Sequence, residues 1–359
     1  MLYPFSSPVF LSKVEYQRYA RHLILDNIGV SGQKRLKSAS VLFVGAGGLG
    51  SPGLVYLASS GVGCLGIIDY DTISYSNLHR QILYNYTDID QLKASIAYSK
   101  ITRINPECTV FIYPFMLNQA NCQDVVKKYD IVIDASDNFE TRYLINYACY
   151  AKHKVHIYGA IQSFEGHISV FNYKSGCLYS DLYPNILGLQ SSNCNNTGIL
   201  GVLTGVTGVL QVTEAIKIIL GLGETLSGYL LIYNSLNASF RRVKIPLFPI
   251  KYVNNYQFNS RTIKLFNTID QYQLSLMIDK SSFILIDIRR PPEFFKDHLL
   301  KAVNIPLKNI KSKSVISFIC ARLKSRKIVV YCYDNLRSLI VSQILYNHKI
   351  HHYRLNYRY

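Results

Sequence analysis

Residues 40–50, SVLFVGAGGLG, decide the fold of the first part of this chain. The apolar run 41–44 predicts a short buried strand, and the glycines that follow it predict a tight turn into a helix. Residues 64–69, CLGIID, repeat the apolar pattern after that helix. Strand, glycine turn, helix and strand in this order are typical of one βαβ unit of a parallel sheet.

The same alternation continues along the chain. Predicted helices cover 49–60, 91–104, 119–128 and 139–151. Predicted strands cover 108–113, 130–134, 155–160 and 166–173, and a hairpin lies near 228–245. Continuous β-branched strands are typical of a sheet that is covered on both faces, so we predict an α/β fold with a Rossmann-like nucleotide-binding sheet.

Two further helices belong to this part of the chain. Ser12 and Glu15 form a capping box that predicts a helix ending at Gly29. The stretch 195–213 has no charged residue and approaches membrane-spanning length, but it contains Asn, Thr and Gln. The glycines on one helical face of this region are Gly198, Gly201, Gly205 and Gly208. We therefore predict a buried helix that packs closely through its glycines, and no membrane span.

A second, smaller module follows a change of composition at Pro246. Residues 246–266 have two prolines and no clear period, which predicts a linker between a domain at 1–245 and a domain at 267–359. The predicted elements after the linker are a helix over 268–279, a strand over 283–287, a loop, a strand over 327–331 and a helix from 336. This order indicates a small α/β domain.

Composition excludes several classes of protein. Hydrophobic residues make up 49% of the 359 residues, which excludes wholesale disorder. Lys and Arg number 39 against 22 Asp and Glu, giving a net charge of +17, yet only 17% of residues are charged. With 29 tyrosines and no tryptophan, we interpret this imbalance as the result of an AT-rich coding genome and predict no nucleic-acid binding.

The eight cysteines are scattered and contain no C-x-x-C pair. This excludes a zinc knuckle and a thioredoxin-like motif, and the cysteine density is too low for a disulfide scaffold. A reducing compartment is therefore favoured. The N-terminal residues 1–23 lack a basic segment followed by a long apolar core, so we expect no secretory signal and no transit peptide.

Polar residues follow the predicted strands at positions where phosphates bind. The glycines of 45–50 open a helix whose N-terminus offers N–H groups, and Asp69 ends the next strand, where an acid can accept ribose hydroxyls. A basic loop, 76–81 (SNLHRQ), follows, with Lys93 on the next helix. Residues 134–142, DASDNFETR, supply carboxylate oxygens that suit Mg²⁺. Together these residues predict a site for a nucleoside triphosphate and Mg²⁺.

In this order the motifs G-x-G-G-L-G, I-D-x-D, S-N-L-x-R-Q, Q-x-K and D-x-x-D-N-x-x-T-R resemble the HesA/MoeB/ThiF family over about residues 12–245. These are ubiquitin-activating-enzyme-like adenylyltransferases for sulfur carriers. The resemblance implies nucleotide contacts for Gly48, Asp69, Ser76, Asn77, Leu78, His79, Arg80, Lys93, Asp137 and Asn138. It further implies that Arg80 contacts phosphates and that Asp137 binds Mg²⁺. Arg21, in R-Y-x-R-H, matches an arginine that reaches a neighbouring subunit's site, which implies a homodimer.

The implied reaction joins a carrier protein to AMP. The carrier's C-terminal carboxylate attacks the α-phosphate of ATP, giving an acyl-adenylate and pyrophosphate. Cations stabilise the charge on the phosphate oxygens, and an ionised carboxylate needs no general base. Cys194 matches a family cysteine whose thiol captures the adenylate or a persulfide, although an incidental loop cysteine is the alternative. The favoured ubiquitin-like carrier is the small subunit of molybdopterin synthase, for molybdenum cofactor biosynthesis. Thiamine-pathway and tRNA-thiolation carriers stay open.

The second module resembles a rhodanese-like sulfurtransferase domain. The residues that match its first half are Asp287, Arg289, Glu293, His298, Ala302, Asn304 and Pro306. Residues 332–338, CYDNLRS, match its active-site loop, which implies that Cys332 carries sulfur in a ring of backbone N–H groups, with Arg337 as an added cation. A structural cysteine is the alternative.

Several residues depart from both families. The first zinc-binding C-x-x-C pair falls on Leu178 and Asp181 and the second region has no cysteine, so we expect no zinc. In the rhodanese-like part, glycines are replaced at Asp297, Lys301 and Asn335, and the sequence ends before the expected glycine-rich helix. We therefore expect a C-terminally shortened domain, for which sulfur transfer is less secure than adenylation.

Two other classes of function stay open. An NAD-dependent oxidoreductase explains the glycine turn but leaves the loop 76–81 and Asp137 without a purpose. A non-catalytic carrier-binding scaffold agrees with the missing zinc ligands but not with the complete nucleotide motifs. For the compartment, we favour the plastid stroma (chloroplast), with a bacterial cytoplasm as the alternative.

Overall fold

The computed structural model describes residues 9–174, 176–183, 198–245, 267–270, 273–275, 283–310, 312–323, 327–332 and 335–355. Among these residues the chain divides into two compact units, one that runs as far as Ile245 and one that begins at Asn267. The predicted linker 246–266 and Cys194 lie outside the described residues. The domain limits 1–245 and 267–359 stay predictions.

The first unit is built on one twisted sheet of eight strands. They are β1 (Ser40–Val44), β2 (Cys64–Ile68), β3 (Thr109–Tyr113), β4 (Ile131–Asp134), β5 (Val155–Gln162), β6 (Glu165–Phe171), β7 (Tyr229–Asn234) and β8 (Ser239–Lys244). Their order in the sheet is β3-β2-β1-β4-β5-β6-β7-β8, with parallel pairing as far as β5 and antiparallel pairing beyond it. The predicted Rossmann-like α/β sheet is confirmed.

Helices alternate with these strands. They are α1 (Lys13–Arg18), α2 (Ala20–Leu23), α3 (Gly29–Ser38), α4 (Gly50–Ser59), α5 (Lys93–Ile104), α6 (Cys122–Val126), α7 (Phe139–Ala151), α8 (Tyr179–Leu182) and α9 (Gly201–Leu220). The residues of β1 are apolar without alternation because both faces of the strand are covered: Val41, Leu42 and Phe43 are fully buried. Predicted element ends between residues 40 and 173 differ from the observed ends by three residues or fewer.

The predicted helix from Ser12 to Gly29 is wrong beyond its first turns. The capping box of Ser12 and Glu15 forms as predicted, but the helix stops at Tyr19. The Tyr19 ring is 4% exposed and its hydroxyl accepts a hydrogen bond from the Asn105 side chain at 3.0 Å, which turns the chain toward the core. Gly29, with a φ of +54°, begins α3 instead of ending a helix.

Helix α9 is the buried helix predicted from the uncharged stretch. It packs against α4, β5 and β6. By length and composition alone it could cross a membrane, but buried core helices of soluble proteins can have the same length and composition. Gly208 packs so closely on the Leu49 carbonyl that a Cβ would clash there. Gly205 faces open space and Gly198 precedes the helix. The prediction that the helix packs closely through all four glycines is therefore wrong.

The second unit has its own parallel sheet. Its strands are β9 (Asn267–Ile269), β10 (Phe283–Asp287), β11 (Ala302–Asn304), β12 (Lys327–Tyr331) and β13 (Tyr353–Leu355), in the order β11-β10-β12-β13-β9. Its helices include α10 (Pro291–Lys296), α11 (Lys313–Leu323) and α12 (Asn335–Asn347). Strands β10 and β12 and the start of α12 confirm the predictions made for them.

Two predictions for this unit are wrong. The helix predicted over 268–279 begins as β9, because pairing with β13 buries Ile269 against Leu355; residues 273–275 are helical, and the rest of that range lies outside the described residues. The single loop predicted between the two central strands contains α10, β11 and α11. Pro291 opens α10 at its first turn, a position where proline favours a helix.

Candidate active site

The glycine turn after β1 brings the chain close to the end of β4. Gly45 has a φ of +101°, and a Cβ there would lie 2.6 Å from the carbonyl oxygen of Ala135. Only glycine fits such a turn without strain. The Cβ position of Gly48 lies 2.9 Å from the side chain of Thr204, at the start of α9. The turn therefore opens α4 with free backbone N–H groups, as the sequence predicts.

Asp69 fixes that turn from the end of β2. Its Oδ2 accepts a hydrogen bond from the Ala46 N–H at 2.8 Å, and its Oδ1 accepts one from the Asp71 N–H at 2.9 Å. Burial raises the pKa of the Asp69 carboxyl, while the charge of Lys93 and the two N–H groups oppose that shift. Each carboxylate oxygen keeps a second lone pair, so Asp69 can still accept a ribose hydroxyl.

Lys93 lies beside the same turn. The Tyr84 hydroxyl is 2.9 Å from the carbonyl oxygen of Ala46 and 3.3 Å from that of Lys93, so it links the turn to the first residue of α5. Lys93 is buried and its Nζ donates to Asp71 Oδ2 at 2.7 Å. The Asp71 side chain is half exposed, and an anion at the turn could therefore displace it from the ammonium group.

The loop 76–81 keeps its side chains in local hydrogen bonds. Asn77 Oδ1 accepts from the Ser74 N–H at 3.3 Å, and the Ser76 and Ser74 hydroxyls are 3.0 Å apart. The Arg80 guanidinium donates to the Ser76 carbonyl at 2.9 Å and contacts the exposed His79 ring at 2.7 Å. Leu78, by contrast, packs against the main core. The loop is thus anchored by Leu78 and by buried Gln81, whose Nε2 lies 3.5 Å from the Cβ position of Gly47, while Ser76 and His79 are exposed.

The turn after β4 places Asp137 at the surface. Asp134 is fully buried; its Oδ1 accepts from the Ser136 N–H at 3.1 Å and its Oδ2 lies 3.2 Å from His156 Nε2. The buried Arg142 guanidinium holds the Ser136 carbonyl at 3.0 Å. These bonds fix a turn whose next residue, Asp137, is exposed.

Asn138 lies in the turn after β4, and Tyr70 follows the end of β2. The Asn138 side chain accepts from the Thr141 N–H at 2.9 Å, capping α7, and its amide donates to Asp137 Oδ1 at 3.3 Å. The pKa of Tyr70 is raised, chiefly by the negative charge of Asp71. Burial and the charges of Asp137 and Asp69 add to this shift. Asp137 therefore acts on the same surface as Asp69, Asp71 and Lys93.

This carboxylate surface fits Mg²⁺ in its chemistry. No cluster of three or more ligating side chains occurs among the residues that the structure describes. Mg²⁺ keeps several waters and is held by one or two carboxylates together with substrate phosphates. An exposed Asp137 next to the glycine turn meets that requirement, whereas a cage made only of protein ligands does not form here.

The structure reveals positioning residues that the motifs did not single out. Thr204 Oγ1 lies 3.4 Å from the Arg80 carbonyl oxygen and also covers Gly48. Gln211 Nε2 donates to the Asp134 carbonyl at 2.7 Å. One helix, α9, thus touches the glycine turn, the basic loop and the end of β4. Polar residues at 204 and 211 in the first, uncharged part of this helix were the signal available in the sequence.

Arg21 lies apart from this geometry. Arg21 is exposed on α2 and contacts none of the site residues described above. Cys194 lies outside the described residues. Neither predicted role is tested by the single chain.

The zinc-binding region of the family holds an aromatic cluster in this chain. Tyr179 is fully buried, and its ring lies within 5.3–6.2 Å of Tyr143, Tyr158, Phe171, Tyr183 and His156, centroid to centroid. Asp181 Oδ2 accepts from the Leu178 N–H at 2.8 Å and so caps α8. The two positions where the family has its first C-x-x-C pair are therefore used for packing and capping.

The second unit places Cys332 at the end of β12. The residue is 1% exposed and belongs to a core cluster with Val330 and Val341. Arg337, the predicted cation, directs its Nη1 to both oxygens of Glu293, at 2.9 and 3.0 Å. Arg289 is buried on Asp287 and also bonds Asp297 at 3.1 Å. Both matched arginines of the sulfurtransferase motif therefore hold carboxylates.

Comparisons with known proteins agree with both units. A model of the ThiF family matches residues 19–249, and a model of the rhodanese-like domain matches residues 270–357. A relative from Gracilaria tenuistipitata var. liui, named probable molybdopterin-synthase adenylyltransferase, is 57% identical over 349 residues, covering 97% of this chain and 98% of the relative. A relative from Mycobacterium tuberculosis, named probable adenylyltransferase/sulfurtransferase MoeZ, is 39% identical, covering 91% and 87%.

Solved structures share the fold of the first unit. The structure of E. coli MccB with ATP matches with a TM-score of 0.57 at 22% identity, covering 65% of this chain and 73% of that one. At this identity the likeness concerns the fold alone. The family models and the relatives, which extend over nearly the whole chain, are decisive: the chain belongs to the ThiF family and carries a rhodanese-like domain at its C-terminal side.

Proposed function

We propose that the protein is an ATP-dependent adenylyltransferase acting on the C-terminal carboxylate of a ubiquitin-like sulfur carrier. The observation that carries this proposal is the convergence of the glycine turn, Lys93 and Asp137 at the carboxyl ends of β1, β2 and β4. Ligands of open α/β sheets bind at such strand ends. Relatives that match nearly the full length of this chain are named adenylyltransferases, which supports the proposal.

In this proposal the residues of the site divide the work on ATP. Gly48 and Asp69 accommodate the adenosine and ribose. The polar loop contributes Ser76, Asn77, Leu78, His79 and Arg80, of which Asn77 and Arg80 contact phosphates. Lys93 moves from Asp71 to the phosphates, and Asn138 lies next to the nucleotide. The carrier carboxylate forms a bond to the α-phosphorus, the bond to the bridging oxygen breaks, and pyrophosphate leaves with that electron pair.

Asp137 is the residue we assign to Mg²⁺. When bound, the metal neutralises charge on the phosphate oxygens, an effect worth several kcal/mol in such reactions. Asp137 is suited to this role because its carboxylate is exposed while Asp134 and Ser136 fix the turn beneath it. Arg80 adds positive charge from the loop 76–81.

We further propose a homodimer in which Arg21 completes the partner's site. Arg21 is exposed on a short helix and contacts none of the site residues that the structure describes, which agrees with a residue acting across an interface. Mixing Arg21→Ala and Asp137→Ala chains tests this. If the arginine acts in the partner's site, the mixture regains about a quarter of wild-type activity, since half of the dimers hold one intact site. No recovery in a mixture shown to exchange subunits contradicts the proposal.

Sulfur transfer by the rhodanese-like domain is the second part of the proposal. Cys332 follows β12 directly, as a sulfur-carrying residue of this motif does, and the relative from Mycobacterium tuberculosis is named a sulfurtransferase. Cys332 would accept a sulfane sulfur from a persulfide donor, whose thiolate leaves, and would hold it as a persulfide. Cys194 would capture the adenylate as a thioester with release of AMP, or would accept the outer sulfur of a persulfide, whose thiolate leaves. We assign the adenylyltransferase to 1–245, a linker to 246–266 and the sulfurtransferase to 267–359.

The favoured carrier is the small subunit of molybdopterin synthase, which places the protein in molybdenum cofactor biosynthesis. Three relatives named probable molybdopterin-synthase adenylyltransferases support this choice. They come from red algae, which favours the plastid stroma over a bacterial cytoplasm as the compartment. Recovery of the protein in a secreted or periplasmic fraction would contradict both.

ATP–pyrophosphate exchange with a panel of carriers tests the proposed function. We expect exchange only when a carrier with an intact C-terminus is present, and fastest exchange with the molybdopterin synthase subunit. Faster exchange with a thiamine-pathway or tRNA-thiolation carrier would keep the chemistry and change the pathway. Absence of exchange with every carrier, together with carrier binding, would show a non-catalytic scaffold instead.

A further inference from the structure

Arg354 lies on the same face of the second sheet as Cys332. In the parallel pairing of β12 with β13, Arg354 is opposite Val330, and Val330 belongs to the core cluster that contains Cys332. The alternate residues, Val329 and Leu355, belong to the cluster on the other face. Because residues paired in register point to one face and side chains alternate along a strand, Arg354 and Cys332 share a face.

The two residues are also close along the sheet. Cys332 is two positions beyond Val330, about 6.6 Å along the strand, and neighbouring strands are about 4.8 Å apart. The α-carbons of Arg354 and Cys332 are therefore about 8 Å apart, within the reach of an arginine side chain. Helix α12, which begins just after the Cys332 loop, packs against both strands.

Arg354 is partly buried, and two of its three guanidinium nitrogens have no acceptor among the described residues. Its Nε and Nη1 are buried without a hydrogen-bond partner, and so is the Ser342 hydroxyl on α12. Burial lowers the pKa of Arg354. Burial chiefly, and the charge of Arg354 in addition, lower the pKa of His352. A buried cation without an acceptor is costly, and in a native structure such a group calls for a missing anion.

The other two arginines near this part of the sheet already have carboxylate partners. Arg337 holds Glu293, and Arg289 holds Asp287 and Asp297. The cation that the sulfurtransferase motif assigns to the cysteine thus also bonds a carboxylate, while Arg354, on the same face of the sheet as the cysteine, has two nitrogens without an acceptor among the described residues.

We propose that Arg354 stabilises the anionic sulfur of Cys332, first as a thiolate and then as the terminal sulfur of a persulfide. The proposal rests on the sulfur-transfer part of the proposed function. A sulfur anion is an acceptor that Arg354 Nε and Nη1 lack among the described residues. A nearby positive charge favours the charged form of a thiol and lowers its pKa.

The test is the titration of the Cys332 thiolate in the full-length chain. Thiolate absorbance in the ultraviolet is recorded against pH, and the curve of the matching Cys332→Ser protein is subtracted, which removes the exposed Cys320 and the tyrosines from the signal. We expect Arg354→Gln to cut the thiolate fraction at neutral pH about tenfold, a shift of about one pH unit. Arg354→Lys should keep most of the effect, and Lys308→Gln, which removes an exposed cation of the same unit, should keep all of it.

Superimposable curves for wild type and a folded Arg354→Gln protein would overturn the proposal. If that variant does not fold, the wild-type curve decides, because a Cys332 midpoint at or above the free-thiol value of about 8.5 would overturn it equally. Thiocarboxylate formation is measured separately. A shifted titration without thiocarboxylate would leave the Arg354 inference standing and remove sulfur transfer from the proposed function.

Discussion

Each unit has a connection in which a strand is followed within a few residues by a helix, and the two connections differ in what they present. We call residues 45–49, between β1 and α4, the first corner, and residues 332–334, between β12 and α12, the second corner. After β1, the glycine turn leads into α4, and its Ala46 N–H is held by buried Asp69 at 2.8 Å. After β12, a short connection leads into α12, and Cys332 occupies the first position. The first corner presents its backbone, for which glycines suffice. The second presents one sulfur atom.

This difference determines how far each corner tolerates change. The backbone of the first corner is fixed by hydrogen bonds from Asp69 and Tyr84 to Ala46 and by the packing of Thr204 on Gly48, so no single side chain fixes it alone. The second corner depends on the charge around one atom, and the glycine of the family loop is replaced by Asn335. Variants that act on one corner alone therefore test whether the two units perform separate steps.

The largest effect is expected for Cys332→Ala. Thiocarboxylate formation on the carrier should fall to background, because the sulfur-carrying atom is gone, while ATP–pyrophosphate exchange stays at the wild-type rate. Carrier, ATP and a persulfide donor are supplied; mass spectrometry of the carrier measures the thiocarboxylate, and pyrophosphate exchange is measured in a parallel incubation. Equal thiocarboxylate yields from wild type and variant would show that sulfur arrives by another route and that the second corner is a relic.

Asp137→Ala should produce the reverse pattern. We expect pyrophosphate exchange to fall about 100-fold or more, since metal-assisted charge stabilisation is worth several kcal/mol. Glu140→Ala is the matched control, because Glu140 is an exposed acid in the first turn of α7. Near-normal exchange in Asp137→Ala would refute the assignment of Asp137, and an equal loss in Glu140→Ala would show that the effect is not specific to Asp137.

Tyr179 tests the packing that supports the Asp137 turn. Its ring contacts Tyr158, which carries the Arg142 guanidinium, and its own hydroxyl is buried without a hydrogen-bond partner among the described residues. Tyr179→Ala should lower the free energy of unfolding by about 3–5 kcal/mol, while Tyr179→Phe should change it by about 1 kcal/mol or less. Denaturant titration measures both. Equal losses would mean that the hydroxyl, not the ring, matters.

The smallest effect separates two glycines of α9. Gly208→Ala should lower the free energy of unfolding by about 1–3 kcal/mol, because its Cβ would meet the Leu49 carbonyl at the first corner. Gly205→Ala, three residues earlier in open space, should raise it by about 0.5–1 kcal/mol through helix propensity. Opposite signs in thermal unfolding confirm the packing, and a stabilising Gly208→Ala would contradict it.

The fold of the first unit was predictable because its strands are continuous apolar runs that end in glycine or acid. The break at Tyr19 was not, since it depends on Asn105, 86 residues away. In the second unit, β9 and β13 are only three residues long and have no periodic pattern to read. Pro291 was read as a loop residue although it opens α10.

The candidate site shows the same limit. The motifs identified Asp69, Lys93 and Asp137, whose residue types and order carry the chemistry. They did not identify Thr204 or Gln211, which act through a helix far away in the sequence. Nor could they show that Arg337 bonds Glu293, because a sequence motif gives residue identity and not the partner of a side chain.

Transfer of label from ATP to the carrier tests directly whether the protein adenylylates the carrier's C-terminal carboxylate. The purified protein is incubated with the molybdopterin synthase small subunit and with ATP labelled in either the α- or the γ-phosphate. Because AMP is transferred, we expect label on the carrier from α-labelled ATP only. We expect no label when the carrier's C-terminal carboxylate is amidated. Label from γ-labelled ATP, or equal labelling of the amidated carrier, would contradict adenylation of that carboxylate.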